Sequence, residues 1–146
     1  MKIAFIGIGL MGRPMVTRLL DAGFEMALWN RSPEKENVFS DRAIITNTPS
    51  EAIREADIII TMLENGQVVD EVIFQSGAYQ TVKTGAIFID MSSIPPSLAR
   101  EHAIAIEDQS AAYLDAPVSG GTVGAEQATL SVMAGGSKVH FEQALP

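Results

Sequence analysis

The strongest constraint on the fold of this chain lies in its first twenty residues. Ile3-Ala4-Phe5-Ile6 is an apolar run that breaks into Gly7-Ile8-Gly9-Leu10-Met11-Gly12, spaced G-x-G-x-x-G. Met11, Met15, Val16, Leu19 and Leu20 then recur at helical spacing. A strand therefore meets a helix across a glycine loop, the context that gives this spacing a mechanism. Gly7 permits the tight turn, Gly9 lets backbone approach a pyrophosphate, and Gly12 lets the helix pack close on the strand. The ligand's negative charge would then rest on unpaired N–H groups at the positive end of the helix, with Leu10 and Met11 beside it.

The remaining chain repeats the alternation. Residues 25–29 read as a second strand. Ser32-Pro33 opens a helix to about residue 41, with Ser32 as its cap and Pro33 at its first position. A weak third strand at residues 43–46 precedes Thr48-Pro49-Ser50-Glu51, which has the form of a capping box and starts a helix to about residue 56. Residues 57–63 are nearly continuous in apolar character, as a central parallel strand covered on both faces would be. A helix follows Gly66 and ends at Gly77; residues 86–90 form a strand, residues 97–108 a helix and residues 111–114 a strand. Residues 130–134 read as a last strand, Gly135-Gly136 as a turn, and Ser137 as the start of a final helix. Strands alternating with helices at this spacing predict an α/β, Rossmann-type, doubly wound and mainly parallel sheet flanked by helices. On such a sheet the loops at residues 7–12, 30–32, 62–65, 91–95 and 118–121 all leave strand C-termini and line one crevice.

Composition narrows the ligand. The chain has 146 residues, enough for one domain, and 47% of them are hydrophobic. Eighteen acidic and ten basic side chains give a formal charge of −8, with no basic cluster, which argues against a nucleic-acid groove. A dinucleotide's charge must be held locally, against the sign of the whole protein. The chain has no cysteine and no apolar run of the length a membrane span needs, and it is expected to be cytoplasmic, with no membrane contact.

At the end of the second strand, where an NAD-binding protein usually places an acid on the ribose hydroxyls, stand Asn30 and Arg31. A carboxylate would repel a 2′-phosphate; an amide can donate to it and a guanidinium can grip it, which favours NADP(H) over NAD(H). The alternative for Arg31 is a solvated surface side chain. With Ser32 beside them, and Met62, Leu63, Ser92, Ser93 and Ile94 at two further strand ends, these residues are the expected cofactor contacts. Ser119-Gly120-Gly121 offers one hydroxyl and two unhindered amides, either as a seat for a small carboxylate or as a glycine-rich connector. His102 and His140 read as surface or packing residues, and Asp115 as a turn residue. No metal site is expected.

Four stretches together closely resemble the β-hydroxyacid dehydrogenase family, which includes 3-hydroxyisobutyrate dehydrogenase and tartronate semialdehyde reductase. They are residues 5–15 (FIGIGLMGRPM), 60–63 (ITML), 89–93 (IDMSS) and 115–121 (DAPVSGG), the last running on to Thr129-Leu130-Ser131-Val132-Met133-Ala134-Gly135-Gly136. Ala128 departs from the family's glycine before Thr129. The resemblance implies hydride transfer between a nicotinamide and a short 3-hydroxy acid, with Ser119, Gly120 and Gly121 holding the substrate carboxylate. It also implies that the catalytic lysine lies on a helix beyond residue 146, so that residues 1–146 are a dinucleotide-binding domain that stops before a helical substrate and dimerisation domain. None of Lys2, Lys35, Lys83 and Lys138 matches that lysine; Lys35 reads as a residue of a surface helix. A homo-oligomer is expected, because an uncovered apolar face of this kind promotes association. The alternative is a non-catalytic NADP-binding or scaffolding module.

Overall fold

The computed structural model describes residues 1–145. In chain order it contains β1 (Lys2–Ile6), α1 (Gly12–Asp21), β2 (Glu25–Trp29), α2 (Pro33–Glu36), β3 (Ile44–Ile45), α3 (Pro49–Ile53), β4 (Ile58–Thr61) and α4 (Gly66–Val69). There follow β5 (Ile87–Asp90), α5 (Pro96–Glu107), β6 (Ala112–Asp115), β7 (Val118–Ser119), α6 (Gly121–Gln127), β8 (Ser131–Val132), β9 (Gly135–Gly136) and α7 (Lys138–Ala144). The main sheet runs β3-β2-β1-β4-β5-β6-β9 and is parallel up to β6. The chain moves outward from β1 to β2 and β3 and then crosses back to β4 on the other side of β1, which makes the gap above β1 and β4 the switch point of a doubly wound fold.

The alternation of side chains along each strand sorts the core into two layers. Ile6, Ile59, Phe88 and Tyr113 face one side, under Ile53, Val69 and Ile106. Phe5, Ile60, Ile89 and Leu114 face the other, against Met15, Val16 and Leu20 of α1. Phe5 and Phe88 are wholly buried. Every residue of β4 and β5 is buried, so the near-continuous apolar runs of the sequence are the strands covered on both faces.

The caps behave as local chemistry dictates. Thr48 Oγ1 accepts the Glu51 amide at 3.2 Å, and Glu51 reaches back to the Asn47 amide at 2.9 Å, one residue before the cap. Asn65 Oδ1 accepts the Val68 amide at 3.0 Å and opens α4, which continues as a π-helical turn over Asp70–Gln75.

Three expectations are corrected. The helix read to residue 41 stops at Glu36 and tightens to a 3₁₀ turn at Asn37–Phe39, and Ser32 makes no side-chain cap. Glu36 and Phe39 are both buried, three residues apart, and drawing both inward favours the tighter winding. The strand read at residues 130–134 keeps only Ser131 and Val132, which leave the main sheet to pair antiparallel with β7. Gly135-Gly136, read as a turn, is instead the antiparallel edge strand beside β6. The cause is α6, a helix the pattern did not show: its first residue is Gly121, preceded by Gly120 at φ 136°, and it carries few apolar residues from which to read a period.

Candidate dinucleotide-binding cleft

A cleft of about 600 Å³ opens at the switch point, lined by residues of the glycine loop, the end of β2 and the end of β4. Gly7 has φ +104°, and a Cβ there would collide with the carbonyl of Met62. Its amide donates to the Trp29 carbonyl at 3.0 Å, which stitches the loop to β2. At Gly12 a Cβ would strike the Gly7 carbonyl, so α1 meets β1 at backbone distance. Gly9 differs from both: a Cβ there would have nothing within 4 Å. The loop is tight behind and open in front, a cradle that fits a pyrophosphate against bare backbone and the first turn of α1.

The cleft gathers Gly7, Gly9, Leu10, Met11, Gly12, Asn30, Arg31, Ser32, Met62 and Leu63. The structure changes the role of Asn30. Its Oδ1 accepts the Ile8 amide at 2.8 Å and its Nδ2 donates to the Ser32 carbonyl at 3.1 Å, so the side chain first ties the glycine loop to the turn after β2. Arg31 is largely exposed, its guanidinium 3.5 Å from Glu71. Lys35, read as a surface lysine, also lines the cleft. Its place in the first turn of the helix that follows the β2 loop was the available signal, because that turn begins beside the crevice.

Ser92, Ser93 and Ile94 are not brought into this cleft. Ser92 is wholly buried: its Oγ accepts the Leu63 amide at 3.0 Å and its own amide donates to Asp90 Oδ1 at 3.0 Å. It holds the loop that carries Met62 and Leu63. Ser93 is exposed, and Ile94 packs on the core below. Behind them Asp90 is a hub, also accepting from Thr61 Oγ1 at 2.7 Å and Tyr113 Oη at 3.3 Å. Beside it, burial and the Asp90 charge push the Asp115 carboxyl up, and burial and Asp90 together push the Tyr113 phenol up. Ser119, Gly120 and Gly121 lie exposed on the β7–α6 connection, outside the cleft.

His102 is buried and stacks on Phe74 with ring centroids 3.9 Å apart, the packing role read for it. Burial lowers its pKa, against the charges of Asp90 and Asp70. Among the described residues no three acidic, histidine or cysteine side chains gather to hold a metal. No helix among them is long and apolar enough to cross a membrane.

Fold and cleft together define a Rossmann-type domain built to hold a dinucleotide. The profile of the NAD binding domain of 6-phosphogluconate dehydrogenase matches residues 2–146, and the chain belongs to that family. It is 42% identical over 146 residues to an uncharacterized oxidoreductase, YkwC, of Bacillus subtilis, covering 99% of this chain and 51% of that protein. It is 37% identical over 147 residues to 2-hydroxy-3-oxopropionate reductase of Escherichia coli, covering 100% of this chain and 50% of the relative. Among solved structures, 3-hydroxyisobutyrate dehydrogenase of Mycobacterium tuberculosis with L-serine superposes with a TM-score of 0.91 at 37% identity, over 99% of this chain and 50% of that one. The chain spans about half the length of the curated relatives it matches.

Proposed function

We propose that this chain is the NADP(H)-binding half of an oxidoreductase that interconverts a short 3-hydroxy acid and its semialdehyde. The observation that carries the reading is the glycine loop itself, which is closed behind Gly7 and Gly12, open at Gly9, and braced by Asn30. When bound, the nicotinamide would supply the hydride. The chain's own residues do the holding. The loop amides take the pyrophosphate, Met62 and Leu63 wall the cleft at the end of β4, and Arg31, Ser32 and Lys35 meet the adenosine end.

Two cations and a hydroxyl at that end, with no carboxylate beside the ribose position in sequence, support NADP(H) over NAD(H). Ser119, Gly120 and Gly121 would hold the substrate carboxylate in the whole enzyme, as the family resemblance implies. The proton transfer that accompanies hydride transfer is assigned to a lysine outside these residues. The whole protein would act as a homo-oligomer.

The test is titration of the chain with NADPH and NADH, followed by fluorescence. Wild type should bind NADPH more tightly, and Arg31→Ala should reduce the preference by on the order of tenfold to a hundredfold, the size of a charge-assisted contact. Equal affinities, with a ratio unmoved by Arg31→Ala, would show that the cleft does not read the 2′ position.

A further inference from the structure

The loop after β2 carries no carboxylate at the ribose position, but the opposite wall of the cleft supplies one. β2 and β4 flank β1 in the sheet, so Arg31, just past β2, and Glu71, on the π-helical turn that continues α4, belong to facing walls. Val68 and Val72, on either side of Glu71 in sequence, line the cleft. The Glu71 carboxylate is engaged through both of its oxygens. Oε1 accepts Gln67 Nε2 at 3.1 Å, one helical turn back, and Oε2 stands 3.5 Å from a terminal nitrogen of Arg31. Among the described residues this is the one ion pair that joins the two walls. A guanidinium has five N–H donors, and the pair engages a single nitrogen of it. Lys35, the other cation at the adenosine end, makes no ion pair among the described residues. Glu64, the carboxylate that lines the cleft itself, follows Leu63 on the β4 side and pairs with neither cation.

We propose that Glu71 is a specificity-determining residue, a carboxylate held against the guanidinium that would receive the ribose 2′ substituent. A 2′-phosphate carries about two negative charges. Resting ~2.8 Å from the same guanidinium, it would come within about 6 Å of the Glu71 carboxylate or have to displace it, and either costs affinity. A 2′-hydroxyl is uncharged and leaves the pair standing. With side chains 64% and 42% exposed, the pair is too weak to hold Arg31 in one pose, so Glu71 acts by its charge rather than by preorganising the arginine. Arg31 and Lys35 draw NADP(H) in and Glu71 limits the preference, so the cleft discriminates less between the two cofactors than its cations alone would make it.

This rests on the reading that the cleft binds the dinucleotide, and the experiment separates the two. The affinities of NADPH and NADH are measured on the chain, on Glu71→Gln, which keeps the length and an acceptor for Gln67, on Glu71→Lys, and on Glu64→Gln as a control for the overall charge of the cleft. Thermal melting followed by circular dichroism confirms that each variant is folded, as expected of substitutions at exposed positions. NADPH should bind roughly three- to tenfold more tightly to Glu71→Gln, the size of one charge removed at about 6 Å from a dianion with and without salt screening, while NADH changes less than about twofold. The NADPH-to-NADH ratio should rise further in Glu71→Lys, stay near the wild-type value in Glu64→Gln, and differ less between wild type and Glu71→Gln in high salt. A merely structural role would move both cofactors in parallel. That result, or an unchanged ratio in folded Glu71→Gln, overturns the proposal, as does an equal shift in Glu64→Gln, which would assign the effect to the charge of the whole cleft. If Arg31→Ala shifts the ratio and the Glu71 variants do not, the cofactor reading stands and the role of Glu71 falls. If wild type binds neither cofactor, both fall.

Discussion

The molecule has two regions built to different standards. From β1 to β6 the chain makes a sheet buried on both faces, with two apolar layers and a cleft at its switch point. From β7 onward it makes two-residue strands and short helices in which Val123, Val132, Met133, Val139, Phe141 and Leu145 are all exposed, and no residue of α7 is buried. Both regions carry stretches that match the same family, so the difference is one of packing rather than of kinship. The first region can organise a cofactor site from its own core. The second displays backbone and apolar side chains without a core of its own, and its candidate substrate residues stand in the open.

The most direct way to break this contrast is to truncate one large aromatic in each region. Phe88→Ala should cost about 3–5 kcal/mol, since it empties a wholly buried position at the centre of the sheet. Phe141→Ala, at 41% exposure on α7, should stay within about 0.5 kcal/mol. Urea unfolding of both variants measures it, and comparable losses would mean that the second region is as well packed as the first.

A smaller effect separates packing from binding within the first region. Gly9→Val should leave the fold intact and weaken NADPH binding by on the order of a hundredfold, because the new side chain enters the space in front of the loop. Gly12→Val should unfold or strongly destabilise the chain, because its side chain meets the Gly7 carbonyl. Circular dichroism and cofactor titration on the same samples distinguish the two. A folded Gly9→Val that keeps its affinity would remove the loop from the binding site.

The smallest effect concerns surface charge. Asp57 accepts the Lys2 amide at 2.7 Å and pairs with Lys83 at 2.5 Å, tying the start of β1 to the chain before β4. Lys83, then the Lys2 amide, hold its carboxyl below the usual carboxylate range. A lowered folded pKa contributes stability that is present above the unfolded value of about 3.9 and is lost as pH falls through the folded one. Because the pair is nearly half exposed, the contribution is under about 1 kcal/mol and shrinks in salt. Urea midpoints between pH 3 and 6 should therefore show wild type losing its margin over Asp57→Asn at the acid end. The more exposed pair Lys138–Glu142 on α7 should contribute less still, and a larger loss on removing it would reverse the ranking of the two regions.

Much of the first region was legible because its signals are local. The glycine spacing, the unbroken apolar run of β4, and the Thr48–Glu51 and Asn65 caps each depend on residues within a few positions of one another. The cleft was legible to the extent that loops leaving parallel strands must share one end of the sheet. What escaped depends on distant partners. Ser92 looks like a free hydroxyl until the Leu63 amide is found beside it, and Asn30 looks like a ligand donor until Ile8 meets it from 22 residues away.

By itself, then, the amino-acid sequence determined the alternation of strands and helices, the strand–loop–helix that addresses a pyrophosphate, and the family, because periodicity, turn chemistry and motif spacing are properties of neighbours along the chain. Only the tertiary structure decided that residues 131 and 132 leave the main sheet and Gly135-Gly136 joins it, that Lys35 borders the cleft while Glu36 is buried, and that Ser92 braces the Leu63 amide. Burial, hydrogen-bond partnership and strand pairing are settled between segments far apart in sequence, where each competing arrangement is weighed by the apolar area it covers and the polar groups it leaves unpaired.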